Sequence, residues 1–251
     1  MIDFHTHILP AIDDGARNRE ESAQMLEKEI EQGVECVVFT PHYYGKRRSP
    51  EQFLQRREAA FAKIKEGLPS NLQTRLGAEI LFTGLNMADN EELCSLAIEG
   101  TKYVLFEFPF TEKWPASFWE NLSEFIQETD YTPIIAHVER YLETQKNPAL
   151  FNRLIKMGCL LQVNTTSFIE KRSRSLAFAL LKHGFVHCLG TDSHDTQTRA
   201  CDYAKVKALF EEKGYGEEFA DIQNNMHQIL AGEYVAPKAC TRIKKFFGIY
   251  S

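Results

Sequence analysis

Two histidines, His5 and His7, stand two positions apart in Asp-Phe-His-Thr-His near the start of the chain. Side chains on a strand alternate faces, so both imidazoles would point the same way and could reach one cation. Alone, such a pair is more often a buried hydrogen-bonded couple. Seven further groups of ligand type recur at comparable places: Asp14 or its neighbour Asp13, His42, Glu79, Glu107, His137, Asp192 and His194. Most lie at or just after a short run of β-branched and aromatic residues. Together the nine positions take five of the eight histidines.

The four carboxylates decide the chemistry. Brought together at one mouth, Asp14, Glu79, Glu107 and Asp192 would repel and lose hydration, at roughly several kcal/mol per ion without countercharge. No matching group of Lys or Arg falls at the same places, so divalent cations are the expected countercharge. Mixed imidazole and carboxylate donors suit Mn, Fe or Zn better than Mg or Ca. Nine ligands exceed one coordination sphere, which implies two or three ions. The surplus positive charge of such a centre favours a phosphate ester as substrate, with a metal-bridging hydroxide as nucleophile. Arg140, in Ala-His-Val-Glu-Arg, should reach over the same mouth and grip phosphate oxygens. Arg17 and Arg19, in the loop and helix start after the first strand, could meet substrate or simply face solvent.

Strand-like runs near Ile2 to His7, Val34 to Thr40, Leu72 to Ile80, Tyr103 to Phe108, Pro133 to Val138, Cys159 to Asn164 and Val186 to Thr191 alternate with amphipathic segments. These are Arg19 to Gln32, Pro50 to Glu66, Asn86 to Ile98, Ala116 to Glu128, Pro148 to Met157 and Arg174 to His183. That alternation predicts a parallel α/β barrel, whose strands all open their C-terminal ends on one face. The 251 residues, 43% of them hydrophobic, suit one domain over 1–251, with two or three closing helices from about residue 204. The basic stretch Lys238 to Lys245 reads as a short amphipathic closing helix.

No apolar run approaches the roughly 20 residues that cross a bilayer, and the start of the chain lacks a secretory pattern. Six cysteines without a regular spacing are expected to be reduced, consistent with a cytoplasmic address. The net charge of -6 argues against nucleic-acid binding. No cysteine is followed by the arginine of a C-x5-R phosphate loop, so a thiol route to phosphate hydrolysis is excluded.

Four motifs resemble the polymerase and histidinol phosphatase (PHP) superfamily: Asp-Phe-His-Thr-His, Thr-Pro-His at 40–42, Gly-Ala-Glu at 77–79 and Thr-Asp-Ser-His at 191–194. More narrowly, four others are similar to the manganese-dependent bacterial protein-tyrosine phosphatases of capsule and exopolysaccharide clusters. They are Asp-Asp-Gly-Ala-Arg at 13–17, Arg-Glu-Glu-Ser at 19–22, Ile-Ala-His-Val-Glu-Arg at 135–140 and Met-Gly-Cys-Leu-Leu-Gln-Val-Asn at 157–164. The resemblance implies a distorted (β/α)7 barrel, TIM-like, holding three metals. His5, His7, Glu79 and Asp192 would hold one ion, Glu79, Glu107 and His137 a second, and Asp14, His42 and His194 a third. Arg140 matches the arginine that members use at the phosphate. The implied partner is the phosphotyrosine tail of a bacterial tyrosine autokinase that controls polysaccharide export; a homo-oligomer stays open.

Three rivals remain on the sequence. A PHP phosphatase for a small metabolite such as histidinol phosphate is the nearest. An amidohydrolase-type barrel also begins with HxH but wants a bridging lysine, which no strand end supplies here. A degenerate barrel that only binds a partner would not need nine ligand-type positions.

Overall fold

The computed structural model describes residues 1–83, 89–237, 240–246 and 249–250. Nine short strands form its core: β1 (Ile2–Thr6), β2 (Cys36–Phe39), β3 (His42–Tyr43), β4 (Gln73–Leu76), β5 (Glu79–Leu81), β6 (Tyr103–Glu107), β7 (Thr132–Ile135), β8 (Leu160–Asn164) and β9 (Cys188–Gly190). They pair in parallel in the orders β1-β2-β4 and β3-β5-β6-β7-β8-β9.

The two groups are parts of one curled surface. The expected third strand is interrupted at Gly77–Ala78, and past the end of the expected second strand the pairing resumes at β3 after a break at Thr40–Pro41. Pro41 has no N–H to give to a ladder. Hydrogen bonds from Thr40 N to Thr6 O (2.9 Å), Gly77 N to Phe39 O (2.8 Å) and Glu79 N to Pro41 O (3.1 Å) carry the pairing through both breaks. Buried Arg57 donates from its guanidinium to Gly77 O at 2.9 Å, satisfying a carbonyl that the interruption frees. The far ends also meet: Thr6 bridges Ser193, and His7 N donates to Ser193 O at 3.0 Å. Seven expected strands thus correspond to seven chain segments around a distorted barrel.

Helices α1 (Arg19–Glu31), α2 (Pro50–Lys65), α3 (Asn90–Cys94), α4 (Ala116–Glu128), α5 (Leu142–Lys146), α6 (Ala149–Lys156) and α7 (Arg174–Lys182) fill the connections. Local chemistry sets their starts. Asn18 caps α1 through Glu21 N, and Ser49 and Gln52 form a capping box ahead of Pro50. In α4, Phe118, Leu122 and Phe125 recur on one face, and Phe125 meets Phe106 of β6 edge-on at 5.1 Å. Each such buried ring contributes about 1.5–3 kcal/mol of transfer free energy, which fixes the helix against the sheet.

The expected helix from Asn86 is shorter than its pattern. Among the described residues it is α3 alone, and residues 86–88 lie outside them. The closing helices are α8 (Tyr203–Glu212) and α9 (Gly216–Leu230); Gln223 of α9 accepts from Ile2 N at 2.9 Å, tying the last helix to the first strand. The basic stretch corrects the expectation of a helix. Lys238 lies outside the described residues, and residues 240–244 have no regular structure. Beyond them Lys245–Phe246 pairs antiparallel with Ile249–Tyr250. A run with Ile243, Phe246, Phe247, Ile249 and Tyr250 favours extended pairing over helix.

Candidate metal centre

The strand exits bring the nine expected ligand positions together. His5 lies on β1 and His7 just past it, His42 starts β3, Glu79 starts β5 and Glu107 ends β6. His137 follows β7, and Asp192 and His194 follow β9. Asp14 arrives from the loop after β1. Their packing leaves no room for extra atoms on two neighbours: a Cβ at Gly15 would stand 1.9 Å from His7 O, and one at Gly190 2.5 Å from His5 Cβ. His137 and Asp192 take positive φ (31° and 55°), a conformation costing about 1–3 kcal/mol in a non-glycine residue. Both turn at the point where their side chains enter the cluster.

The His–carboxylate contacts among these ligands span 2.6–3.8 Å. The shortest is His137 Nε2–Glu79 Oε1 at 2.6 Å; His42 Nδ1–Glu79 Oε2 is 2.9 Å, and His5 Nε2 and His7 Nε2 lie 3.3 and 3.2 Å from Glu79 Oε2. Ligand atoms of His7, Asp14, His42 and His194 lie within 4.8 Å of one another. The same holds for His5, His7 and Asp192, for His5, Glu79 and His137, and for His42, Glu79 and Glu107. Donors to one transition ion, at about 2.0–2.2 Å each, can stand no further apart than about 4.4 Å. The 2.6–3.8 Å contacts fall inside that limit and suit shared ions, with Glu79 in two of the groups.

Outer hydrogen bonds fix which ring nitrogen faces inward. Asp13 Oδ2 accepts from His7 Nδ1 at 2.7 Å and from His42 N at 3.0 Å. Gln162 Oε1 accepts from His137 N at 2.7 Å and lies 3.2 Å from His5 Nδ1, while its amide nitrogen donates to Asn164 Oδ1 at 2.9 Å. His5 and His7 therefore carry their Nδ1 protons outward and turn Nε2 lone pairs toward each other at 3.1 Å. Two facing lone pairs at that distance require something positive between them: a proton or a cation. Asp13 and Asp14 thus divide the work that the sequence left between them. Asp13 orients a ring, and Asp14, largely exposed, faces His42 and His194 at 3.4 and 3.5 Å.

Without cations, protons supply the countercharge. Burial opposes charge on His7, but Asp13, together with Glu79, lifts the ring to about 9. Burial likewise opposes His42, and Glu79 lifts it to about 9. Glu107 is raised by burial and by Glu79 to about 7, whereas burial and nearby His7 push His194 down to about 3. Burial would raise Asp13 and Glu79, yet their histidine neighbours hold Asp13 at about 2 and Glu79 well below the usual range.

Arg140 Nη1 contacts Asp192 Oδ2 at 2.8 Å from the rim. Arg199 Nη2 contacts the same oxygen at 2.7 Å, a residue that sequence reasoning passed over. Its signal was available: it follows the last strand as Arg140 follows β7. Asp195 shapes that loop by accepting from Gln197 N, Thr198 N and Arg199 N at 2.6–3.2 Å. Two hollows, of about 440 and 240 Å³, flank Arg199. Arg17 borders the larger one, exposed and paired with Glu21 at 2.9 Å. Arg19, which is exposed, does not border either of these hollows. As the first residue of α1 it lines a separate hollow with Leu26, Ile30 and Ile64, because that turn directs it between α1 and α2. Gln162 and Asn164 were also missed as site residues; buried polar side chains two apart on β8 were the available sign.

Comparison with known proteins agrees over nearly the whole chain. The family described as capsular polysaccharide synthesis, CpsB/CapC, matches residues 1–231. The chain is 30% identical to the tyrosine-protein phosphatase YwqE of Bacillus subtilis (strain 168), over all of both chains. It is 28% identical to the tyrosine-protein phosphatase CpsB of Streptococcus agalactiae serotype III, covering 94% of this chain and all of the relative. A solved structure reported for YwqE from Bacillus subtilis and CpsB from Streptococcus pneumoniae, "unique metal-dependent tyrosine phosphatases", superposes with a TM-score of 0.82 at 26% identity. That match covers 98% of this chain and 100% of the other. A lactonase from Listeria monocytogenes shares the fold alone, at 12% identity and a TM-score of 0.56 over 93% and 95% of the two chains.

Proposed function

This chain belongs to the CpsB/CapC family of capsular polysaccharide synthesis, and from that premise we propose that it removes phosphate from tyrosines in the tail of a bacterial tyrosine autokinase of a capsule or exopolysaccharide system. It is a tyrosine-protein phosphatase, a metal-dependent phosphoric monoester hydrolase. Manganese is the proposed native ion and the cytoplasm the proposed compartment, with residues 1–251 working as one phosphoesterase domain. Mixed imidazole and carboxylate donors favour a borderline transition ion.

One observation carries the metal assignment: the Nε2 lone pairs of His5 and His7 face each other at 3.1 Å, with both outer nitrogens already committed. His5, His7, Glu79 and Asp192 would hold one ion, Glu79, Glu107 and His137 a second, and Asp14, His42 and His194 a third. Bound divalent ions lower the pKa of water and draw charge from phosphoryl oxygens. The chain's own residues do the rest. Asp13 and Gln162 keep two imidazoles in the required tautomer. Arg140, held at the rim by Asp192, is placed to grip the non-bridging oxygens as negative charge grows. The hollows on either side of Arg199 give room beyond a phosphoryl group, as a peptide substrate needs.

Side-by-side kinetics test the substrate. The metal-loaded protein should show a higher kcat/KM on a phosphotyrosine peptide than on histidinol phosphate; a strong preference for histidinol phosphate would overturn the kinase-tail assignment.

A further inference from the structure

On the two sides of Glu79 and Glu107, the centre repeats one arrangement. His42 contacts Glu79 at 2.9 Å and Glu107 at 3.8 Å; Tyr44 stacks on the His42 ring at 5.2 Å, and the Arg47 guanidinium lies 5.0 Å over Tyr44. His137 contacts Glu79 at 2.6 Å and Glu107 at 3.7 Å; Phe110 stacks on the His137 ring at 5.2 Å, and the Arg140 guanidinium lies 4.9 Å over Phe110. Each is an imidazole, an aromatic ring and a guanidinium in sequence. Both aromatic rings are only half-buried, so both still meet solvent beside the ligands.

A phosphate monoester bound among the ligands must send its leaving group outward. Tyr44 and Phe110, stacked on His42 and His137 and still partly exposed, border the cluster on its solvent side. With an imidazole and a cation already engaging its π face, each ring offers chiefly its electropositive edge to a newcomer. An aryl group can accept that edge on its own π face, an arrangement aromatic pairs favour; an alkyl chain has no such face. Resting on the phosphatase function above, we propose that Tyr44 and Phe110 form an aryl gate that makes the site prefer aromatic phosphate monoesters over alkyl ones.

The gate is read out as a ratio. The kcat/KM for phenyl phosphate over that for propyl phosphate is measured on metal-loaded wild type, Tyr44→Ala, Phe110→Leu and the double variant. Inhibition by phenylphosphonate and methylphosphonate is measured in parallel, to remove leaving-group chemistry. Each single variant should lower both aryl-to-alkyl ratios about 3- to 10-fold, the size of one aromatic contact, and the double variant further. Tyr44→Phe and Phe110→Tyr should restore them, separating the ring from the hydroxyl. Loss of Arg140 support would slow both substrates alike and leave the ratios unchanged. A double variant with ratios within about twofold of wild type overturns the gate while leaving the phosphatase assignment intact; wild type that hydrolyses no phenyl phosphate overturns both.

Discussion

Two clusters of buried acids in this protein solve the same electrostatic problem in different ways. At the barrel mouth, Glu79, Glu107 and Asp192 face five imidazoles. Earlier along β1, Asp3 with Glu29 and Cys201 brings ligand-type atoms within 4.8 Å of one another with no imidazole among them. Asp3 accepts from Thr191 N, Thr191 Oγ1 and His5 N at 2.6–3.2 Å, and Ser193 Oγ donates to Glu29 at 3.3 Å. Burial lifts Asp3 to about 6, and burial together with Asp3 lifts Glu29 well above the usual range. Glu29 is thus held toward its protonated form, while Asp3 gives up its proton just below neutral pH. Acidic proximity alone therefore does not make a metal site; inward lone pairs with their outer nitrogens committed do.

The contrast breaks most visibly at the mouth, where β1 and the segment after β9 meet. His5→Ala or Asp192→Ala should lose bound metal and, with it, turnover by about 10³-fold or more, as metal-supplied transition-state charge is removed; elemental analysis showing a full complement would contradict the assignment. Arg140→Ala should keep its metals yet lower kcat on the order of 10²- to 10³-fold, since it would remove charge stabilisation alone. Near wild-type turnover would show that the guanidinium does not touch the reacting phosphate.

A pH experiment sharpens the same comparison. In the metal-free protein His7 and His42 are raised to about 9, so both hold an extra proton at pH 7. Loading must expel these protons, and apparent metal affinity should climb as pH rises toward 9. Titration calorimetry in two buffers of different ionisation enthalpy should detect roughly two protons released per subunit from this pair; no release would contradict the tautomer argument. The chelated protein shows the opposite sign in stability. Protonated His7 and His42 stabilise it fully below about 6.5, and that contribution is lost as pH rises through about 9.

The smallest effect belongs to the proton-holding cluster. Raised carboxyl pKa values stabilise the fold below the unfolded values and lose that contribution as pH rises through the folded ones, about 6 for Asp3. Glu29→Gln should therefore gain on the order of 1–3 kcal/mol at pH 8 relative to wild type, with metal content and turnover unchanged. Denaturation at pH 5 and 8 with metal analysis checks it; loss of metal would mean the two clusters are not independent.

The strands were legible because β-branched runs bounded by amphipathic segments leave a strong periodic signal, and ligands at strand ends are positions that topology alone brings together. The break at Gly77–Ala78 and the resumed pairing at His42–Tyr43 were not legible, since the ladder continues through single backbone bonds whose partners lie far along the chain. The division of labour between Asp13 and Asp14 also escaped the sequence: it depends on which carboxylate folds back toward His7. Arg199 and Gln162 were overlooked because their role appears only in contacts with Asp192 and His5. Arg19 is near in sequence to the mouth, and its place at the first turn of α1, beside a hollow lined by Leu26, Ile30 and Ile64, is set by the fold.

The most direct measurement follows transition-metal content and phosphotyrosine-peptide turnover on one preparation, before chelation, after it, and after manganese is restored. Metal and activity should vanish together and return together. Full activity in a folded, metal-free sample would show that the facing imidazoles of His5 and His7 serve some other purpose.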